Sequence, residues 1–272
     1  MTATTVRVGE PAARRVPRPG GVFLALLGRD TVVARREVTT ILAQGIMQPI
    51  FLLFVFGRVL TDLGLASTGY AGLLFPGIVA LTVVLTALQS SALPLVLDFS
   101  MSREIEDRLL APVPTTLVAV EKIVFAALRA LFAGVLMFPI GVLVLGRIPW
   151  RAAGLPLLLA GSVLGALVGA AFGMLLGTAI SPARINIMFA FILTPVLFTG
   201  CTQYPWPSLE RLRWFQVVTA ANPLTYYSET MRAALVPATP HVHPWISLLV
   251  LAGSLLLVGC AALRGFHHRA QD

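Results

Sequence analysis

The chain has 272 residues, 57% of them hydrophobic and only 12% charged, with a mean hydropathy of +0.86. Soluble domains carry about 25% charged residues, so this composition excludes an ordinary soluble enzyme and a disordered protein. The formal net charge is +8, which membrane orientation and anionic lipid headgroups explain better than nucleic acid does. We therefore expect an all-α polytopic membrane protein that contacts membrane lipids and binds no nucleic acid.

The N-terminal part is predicted to stay on the cytoplasmic side. Residues 1–20 are rich in Pro, Arg and Ala and lack the apolar core of a signal peptide, which predicts a disordered tail. Over 21–38, apolar residues such as Phe23 and Leu27 share one helical face, and arginines such as Arg35 share the opposite face. This pattern predicts an amphipathic helix at the membrane interface, and the alternative is a cytoplasmic extension of the first span.

Six apolar segments long enough to cross a bilayer follow and make up a transmembrane domain over 40–264. They are predicted at about 40–60, 71–97, 117–146, 155–178, 184–203 and 244–264, and a short cytoplasmic tail follows at 265–272. Arginine is concentrated in the N-terminal part and in loops that would lie inside, so the positive-inside rule places both termini in the cytoplasm. The arginine-rich, lysine-poor composition favours a bacterial source, and we expect a multi-pass protein of the bacterial plasma (inner) membrane.

The fourth predicted span has a glycine at every fourth position. These residues are Gly161, Gly165, Gly169, Gly173 and Gly177. Small residues at this spacing let a neighbouring helix approach closely. We expect the glycines to serve packing within the subunit rather than a dimer face.

The residues that several chemistries require are missing from the sequence. Lys122, the only lysine, stands between Glu121 and Ile123, so there is no Gly-Lys-Ser/Thr phosphate loop and we do not expect an enzyme. No acidic residue lies in the apolar parts of the predicted spans, which disfavours a proton-coupled carrier without excluding it. His241 and His243 stand alone in an outer loop, so we predict no metal site.

A few polar side chains lie inside the predicted spans, and two interpretations of them stay open. They are Gln44 and Gln48 on the first span, Thr82, Thr86 and Gln89 on the second, and Thr194 on the fifth. Residues four apart share a helical face, as the two pairs on the first and second spans do. Such side chains either hold neighbouring helices together or line a substrate path. Arg129, a charge within the third span, is expected to reach the inner interface or to pair with an acidic residue.

The inner loop at 98–116 is predicted to contain a short helix that ends before Pro112. Met101, Ile105 and Leu109 follow one another at a spacing of four and form an apolar stripe, while charged residues cover the remaining surface. A charged helix with such a stripe fits a cleft on a cytoplasmic partner, and the alternative is a solvated loop.

The outer segment at 204–243 is semi-apolar and is interrupted by several prolines. It is too long for a simple turn between two spans. Backbone at membrane depth has to be helical or buried in protein, so we expect one or two short re-entrant helices in the outer leaflet.

Both segments resemble motifs of the ABC type-2 permeases. The inner loop looks like the family's first cytoplasmic loop in its Arg-Glu step, its acidic pair, its Leu-Leu-Ala-Pro run and Lys122 at the foot of the next span. The residues that this resemblance assigns to ATPase coupling are Arg103, Glu104, Ile105, Glu106, Asp107, Arg108, Leu109, Leu110 and Pro112. The residues similar to the family's outer-segment motif are Asn222, Pro223, Leu224, Thr225, Tyr226 and Tyr227, followed by Met231 and Arg232. Among subfamilies, the sequence is most similar to drug-export permeases of the daunorubicin-resistance kind. It departs from the family at Glu121, where glycine is usual, and at Ile105–Glu106, which replace a Gly-Thr step.

The resemblance implies a mechanism that composition alone does not give. In that family two permease subunits, identical or different, face one another above two separate ABC ATPase subunits, which bind ATP and Mg. This chain would hold no cofactor itself, and its inner-loop helix would couple it to the ATPase. The resemblance implies export of an amphipathic drug or lipid-like compound, with the path lined by the first, second and fifth spans. The alternatives are a flippase for lipids or lipid-linked glycans in the same family, and an ion-coupled carrier acting alone.

Overall fold

The computed structural model describes residue 21, residues 27–28, and the ranges 46–67, 69–97, 114–180 and 184–269. Helices make up most of these residues, and none of them lies in a β-strand. The predicted all-α class is therefore confirmed for the described part of the chain. The N-terminal tail, most of the amphipathic segment and the inner loop up to residue 113 lie outside the described residues.

Eight helices organise the described residues. They are α1 (46–62), α2 (Tyr70–Leu97), α3 (Thr115–Leu145), α4 (Leu155–Ala179), α5 (Ile185–Thr199), α6 (Arg213–Ala220), α7 (Pro223–Leu235) and α8 (Pro244–Arg269). The middle of α1, Leu53–Val59, is wound as a π-helix. Short 3₁₀ turns at Ala152–Gly154 and Trp206–Arg211 precede α4 and α6.

Four stretches of the described residues are long and apolar enough to cross a membrane. They are Tyr70–Val96, Thr115–Leu145, Ala152–Ala179 and Pro244–Arg269. The predicted count of six spans is not confirmed, because α5 has only 15 residues and α1 is described only from residue 46. About 20 residues are needed to cross the hydrocarbon core.

The fifth predicted span ends earlier than its hydropathy indicates. The prediction ran to residue 203, but α5 stops at Thr199. Gly200 follows, and Cys201 then adopts a left-handed conformation with φ of 49°. A left-handed non-glycine residue cannot continue a right-handed helix, so the chain turns here.

Helix α2 is the buried centre of the bundle. In its apolar stretch 83% of the residues are buried, against 17% in the stretch of α8. Its largest contacts are with α4 and α3, and it also contacts α1 and α7. Phe75 of α2 packs edge-on against Phe138 of α3, with ring centroids 5.5 Å apart.

The glycine repeat of α4 makes the close contacts that its spacing predicts. A Cβ added at Gly169 would lie 3.1 Å from the carbonyl oxygen of Val84, and one at Gly177 would lie 3.0 Å from that of Ala92. Both partners belong to α2, whereas Gly161 and Gly165 face side chains of α7. The expectation of packing within the subunit is confirmed.

Several helices begin or end together at each of two opposite ends of the bundle, which we call its poles. At one pole, Arg269 of α8 donates to the carbonyl oxygen of Thr178 on α4 at 3.1 Å. Thr115 at the start of α3 lies 3.0 Å from the Nδ1 atom of His267. Residues 98–113, which make up most of the predicted inner loop between α2 and α3, lie outside the described residues. The sequence assigned Glu121 to the inner face, and the structure places it in the second turn of α3, fully buried.

Candidate functional site

The predicted outer-segment motif builds the opposite pole, beginning at the first turn of α7. Asn222 is the N-cap of this helix, and its Oδ1 atom accepts a hydrogen bond from the backbone N–H of Leu224 at 2.9 Å. Its Nδ2 atom donates to the carbonyl oxygen of Val196 and to Oγ1 of Thr199, each at 2.9 Å. Pro223 occupies the first helical position, where its missing N–H has no cost. One side chain thus caps the start of α7 and binds the end of α5.

Further motif side chains satisfy the carbonyl groups that α5 and α6 leave free at their C-terminal ends. Oγ1 of Thr225 lies 2.7 Å from the carbonyl oxygen of Thr219 and 3.0 Å from that of Thr199. The hydroxyl of Tyr226 donates to the carbonyl oxygen of Ala220 at 2.9 Å. Helix C-termini need such partners, since their last carbonyls have no donor within the helix. The motif is therefore a set of caps for neighbouring helices.

Glu229 and Arg232 form an ion pair at the centre of this pole. The Nη1 atom of Arg232 donates to Oε1 of Glu229 at 2.7 Å, and both side chains have an exposed fraction of 0%. Oε1 also accepts from the backbone N–H of Trp206, and Oε2 accepts from that of Val242, each at 3.0 Å. We call these residues, together with Cys201 and Thr202, the ion-pair cluster.

Arg232 reaches the end of α5 from the other side of the pair. Its Nη2 atom donates to the carbonyl oxygens of Cys201 and Thr202, the latter at 3.0 Å. The cluster therefore joins the end of α5, the 3₁₀ turn at Trp206–Arg211, helix α7 and the segment that leads into α8. Burial lowers the pKa of the Arg232 guanidinium, and the neighbouring Glu229 carboxylate opposes that shift.

The sequence did not predict this pair. Both residues were assigned to the outer segment, but their partnership was not recognised. Two signals were available in the sequence. Asn222-Pro223 predicts the start of a helix, and residues three positions apart on a helix, such as Glu229 and Arg232, share one face. Of the backbone partners, Cys201 and Thr202 fall in the predicted fifth span and Val242 at the far end of the outer segment, and none of them carries a sequence signal.

The structure does not bring the predicted path residues together. Gln48 and Thr194 are exposed, Gln89 is half-buried, Thr82 and Thr86 are buried in α2, and Gln44 lies outside the described residues. Oγ1 of Thr82 donates to the carbonyl oxygen of Ile78 in its own helix at 2.8 Å. This hydrogen bond joins no neighbouring helix, so both interpretations of the polar residues, helix packing and a substrate path, stay predictions.

The predicted coupling residues, 103–110 and Pro112, lie outside the described residues, so their role also stays a prediction.

Arg129, in the middle of α3, lies with its guanidinium 5.5 Å from the centroid of the Phe125 ring. Within the described ranges, no group of three or more His, Cys, Asp or Glu residues could hold a metal ion. Cys201 and Cys260 are both free thiols.

A helical bundle with four candidate membrane spans is an integral membrane protein. The sequence profile of the ABC-2 type transporter family matches residues 21–236, well over half of the chain. The chain therefore belongs to the ABC-2 type transporter family, as the motif resemblance predicted. Members of this family are the membrane permeases of ABC transporters and work with ATPase subunits; they are not themselves catalytic. No curated protein matches the chain.

Proposed function

We propose that the chain is the membrane-spanning permease subunit of an exporter that moves an amphipathic drug or a lipid-like compound out of the cell. The observation that carries this proposal is the family match, which extends from the amphipathic segment through the outer-segment motif. Gln48, Gln89 and Thr194 are the polar candidates for contact with the transported compound.

The proposed energy source is a separate pair of ATPase subunits that bind ATP and Mg. The sequence supports this division of labour, because its only lysine, Lys122, lies in no phosphate-binding loop. Coupling would run through the inner-loop helix, whose apolar stripe and charged rim suit a protein cleft. A second permease subunit, identical or different, would complete the complex in the bacterial plasma membrane, with both termini cytoplasmic.

The test is transport in inside-out vesicles from cells that express the chain together with a P-loop ATPase encoded beside it. Daunorubicin serves as the probe, and we expect ATP-dependent accumulation of it inside the vesicles. The control is the same complex with the ATPase inactivated at its phosphate-binding lysine, which should accumulate none. Flux that proceeds equally without nucleotide would refute the proposal and favour a carrier acting alone.

A further inference from the structure

An apolar cavity lies within the subunit, beneath the outer-segment motif. Its volume is about 230 Å³, and it lies between α2, α4, α5, α7 and α8. Leu88 and Tyr227 line it with exposed fractions of 0%. On the side of α4 and α8 its rim is formed by the half-buried Phe172 and Val258, and on the side of α5 and α7 by Val196, Asn222 and Pro223, also half-buried, and the exposed Ala221. The cavity therefore extends from the core of the described bundle towards its surface.

The cavity offers an occupant almost no hydrogen bonds. Among the described residues, Asn222 and Tyr227 are the only polar ones that line it. Asn222 uses its amide on the backbone of Leu224 and Val196 and on Oγ1 of Thr199. The Tyr227 hydroxyl donates to Oγ of Ser162 at 3.1 Å. A buried water needs two to four polar partners, so this cavity disfavours water and favours an apolar occupant.

The position of the cavity identifies that occupant. Val84, Gly169 and Val258 line it, and each lies near the middle of a candidate membrane span. At this depth the surrounding medium is lipid hydrocarbon. On α8, the neighbours of Val258, Leu256 and Leu257, have exposed fractions of 70% and 77% and face outwards. The rim of the cavity therefore adjoins a surface that lipid chains contact.

We propose that this cavity binds the acyl chain of a membrane lipid, inserted from the side of the bundle between α4 and α8. An apolar cavity of about 150 Å³ is already large enough to bind benzene, so 230 Å³ admits a segment of hydrocarbon chain. Filling it restores dispersion contacts that an empty cavity forgoes. The occupant holds α7, and with it the ion-pair cluster, against the bundle.

The test uses the full-length chain, with the partners that co-purify with it, in phosphatidylcholine vesicles. A fraction of the phosphatidylcholine carries a photoactivatable diazirine in the middle of one acyl chain, and mass spectrometry locates adducts after irradiation. We expect adducts on Leu88, which lines the cavity, and on the outward Leu256. Leu81, equally buried but not part of the lining, should carry none.

Two matched variants on adjacent residues test whether the adducts on Leu88 arise from a lipid chain inside the cavity. Val258→Phe fills the rim and should abolish the adducts on Leu88 while those on Leu256 remain. Leu257→Phe adds the same side chain to the outer face and should leave both unchanged. Should Val258→Phe fail to assemble, Val168→Phe fills the cavity from α4 and should give the same loss.

Three results would overturn the proposal. The first is labelling of Leu256 without Leu88 in the unaltered chain, and the second is labelling of Leu88 that survives Val258→Phe. The third is labelling of Leu88 by a photoactivatable long-chain alkylamine but not by the phospholipid, which would assign the cavity to a transported compound. Labelling needs no nucleotide, so its failure is distinguishable from failure of the proposed export function.

Discussion

Replacing Arg232 by methionine would remove one charge of the buried ion pair and keep a side chain of similar length. Glu229 would remain fully buried, with the backbone N–H groups of Trp206 and Val242 as its only donors among the described residues. Removal of one partner from a buried pair costs about 3–5 kcal/mol, because the remaining charge is left uncompensated. The carbonyl oxygens of Cys201 and Thr202 would also lose their donor. We expect Arg232→Met to lower the free energy of unfolding by at least about 3 kcal/mol.

The chain contains a matched control for burial. Arg58 and Asp62 form an ion pair of the same length, 2.7 Å, but their side chains are 52% and 60% exposed. Exposed pairs contribute about 0–1 kcal/mol. Arg58→Met should therefore change the stability by no more than about 1 kcal/mol. The two variants remove the same type of interaction at the same distance, so a difference between their losses in the free energy of unfolding reflects the difference in burial.

A double-mutant cycle then measures the interaction free energy between Glu229 and Arg232 separately from the contacts that each makes with other residues. Glu229→Gln and Arg232→Met are made singly and together, and unfolding is followed in detergent by near-ultraviolet circular dichroism. We expect the double variant to be less destabilised than the sum of the single variants, by about 0.5–3 kcal/mol. Additivity within about 0.5 kcal/mol would refute the reasoning, because coupled residues cannot behave as independent sites. A loss below about 1 kcal/mol for Arg232→Met would refute it as well.

Three further predictions concern other parts of the chain. In a cysteine-free form, Ser67→Cys should react with an impermeant thiol reagent in whole cells and Ser102→Cys should not, and the reverse pattern would invert the proposed topology. Ile105→Asp should abolish co-purification of the ATPase by placing a charge in the proposed docking cleft, whereas normal transport by this variant would exclude the inner-loop helix as the coupling element. Gly173→Ala should destabilise the bundle by about 1–3 kcal/mol, since the new Cβ would meet the backbone of Leu88. Gly253→Ala, where nothing lies within 4 Å, should be neutral or stabilising in the same unfolding assay, and equal losses for the two would contradict the packing argument.

Helices whose ends are set by local chemistry could be predicted closely. The second predicted span, 71–97, differs by one residue from Tyr70–Leu97, and the sixth begins at Pro244 as expected. Proline at a first helical turn and long apolar runs are signals that the sequence carries. The close packing of the α4 glycines could also be predicted, because small residues at a spacing of four let neighbouring helices approach; which helix each glycine meets, α7 or α2, could not.

Features set by tertiary contacts could not be predicted. Helix α5 ends at Thr199, where Asn222 and Thr225 supply hydrogen-bond partners from more than twenty residues away, and the span predicted to residue 203 did not detect this end. The burial of Glu229 and Arg232 also depends on tertiary contacts, since charged residues are ordinarily exposed unless they are paired. Hydropathy reports composition along the chain and not the partners that fold back onto it.

The spacing of the ion pair also bears on how the chain enters the membrane. Glu229 and Arg232 are three positions apart on α7, so the two charges come within contact distance as soon as that helix forms. The translocation machinery therefore receives a helix whose opposite charges already neutralise each other, rather than two separate ions that must each be stripped of water. The remaining hydrogen bonds of the cluster lie between residues 201 and 242. The polar contacts of this pole can therefore form within the last third of the sequence, and the earlier helices α2 and α4 supply the surface that buries them.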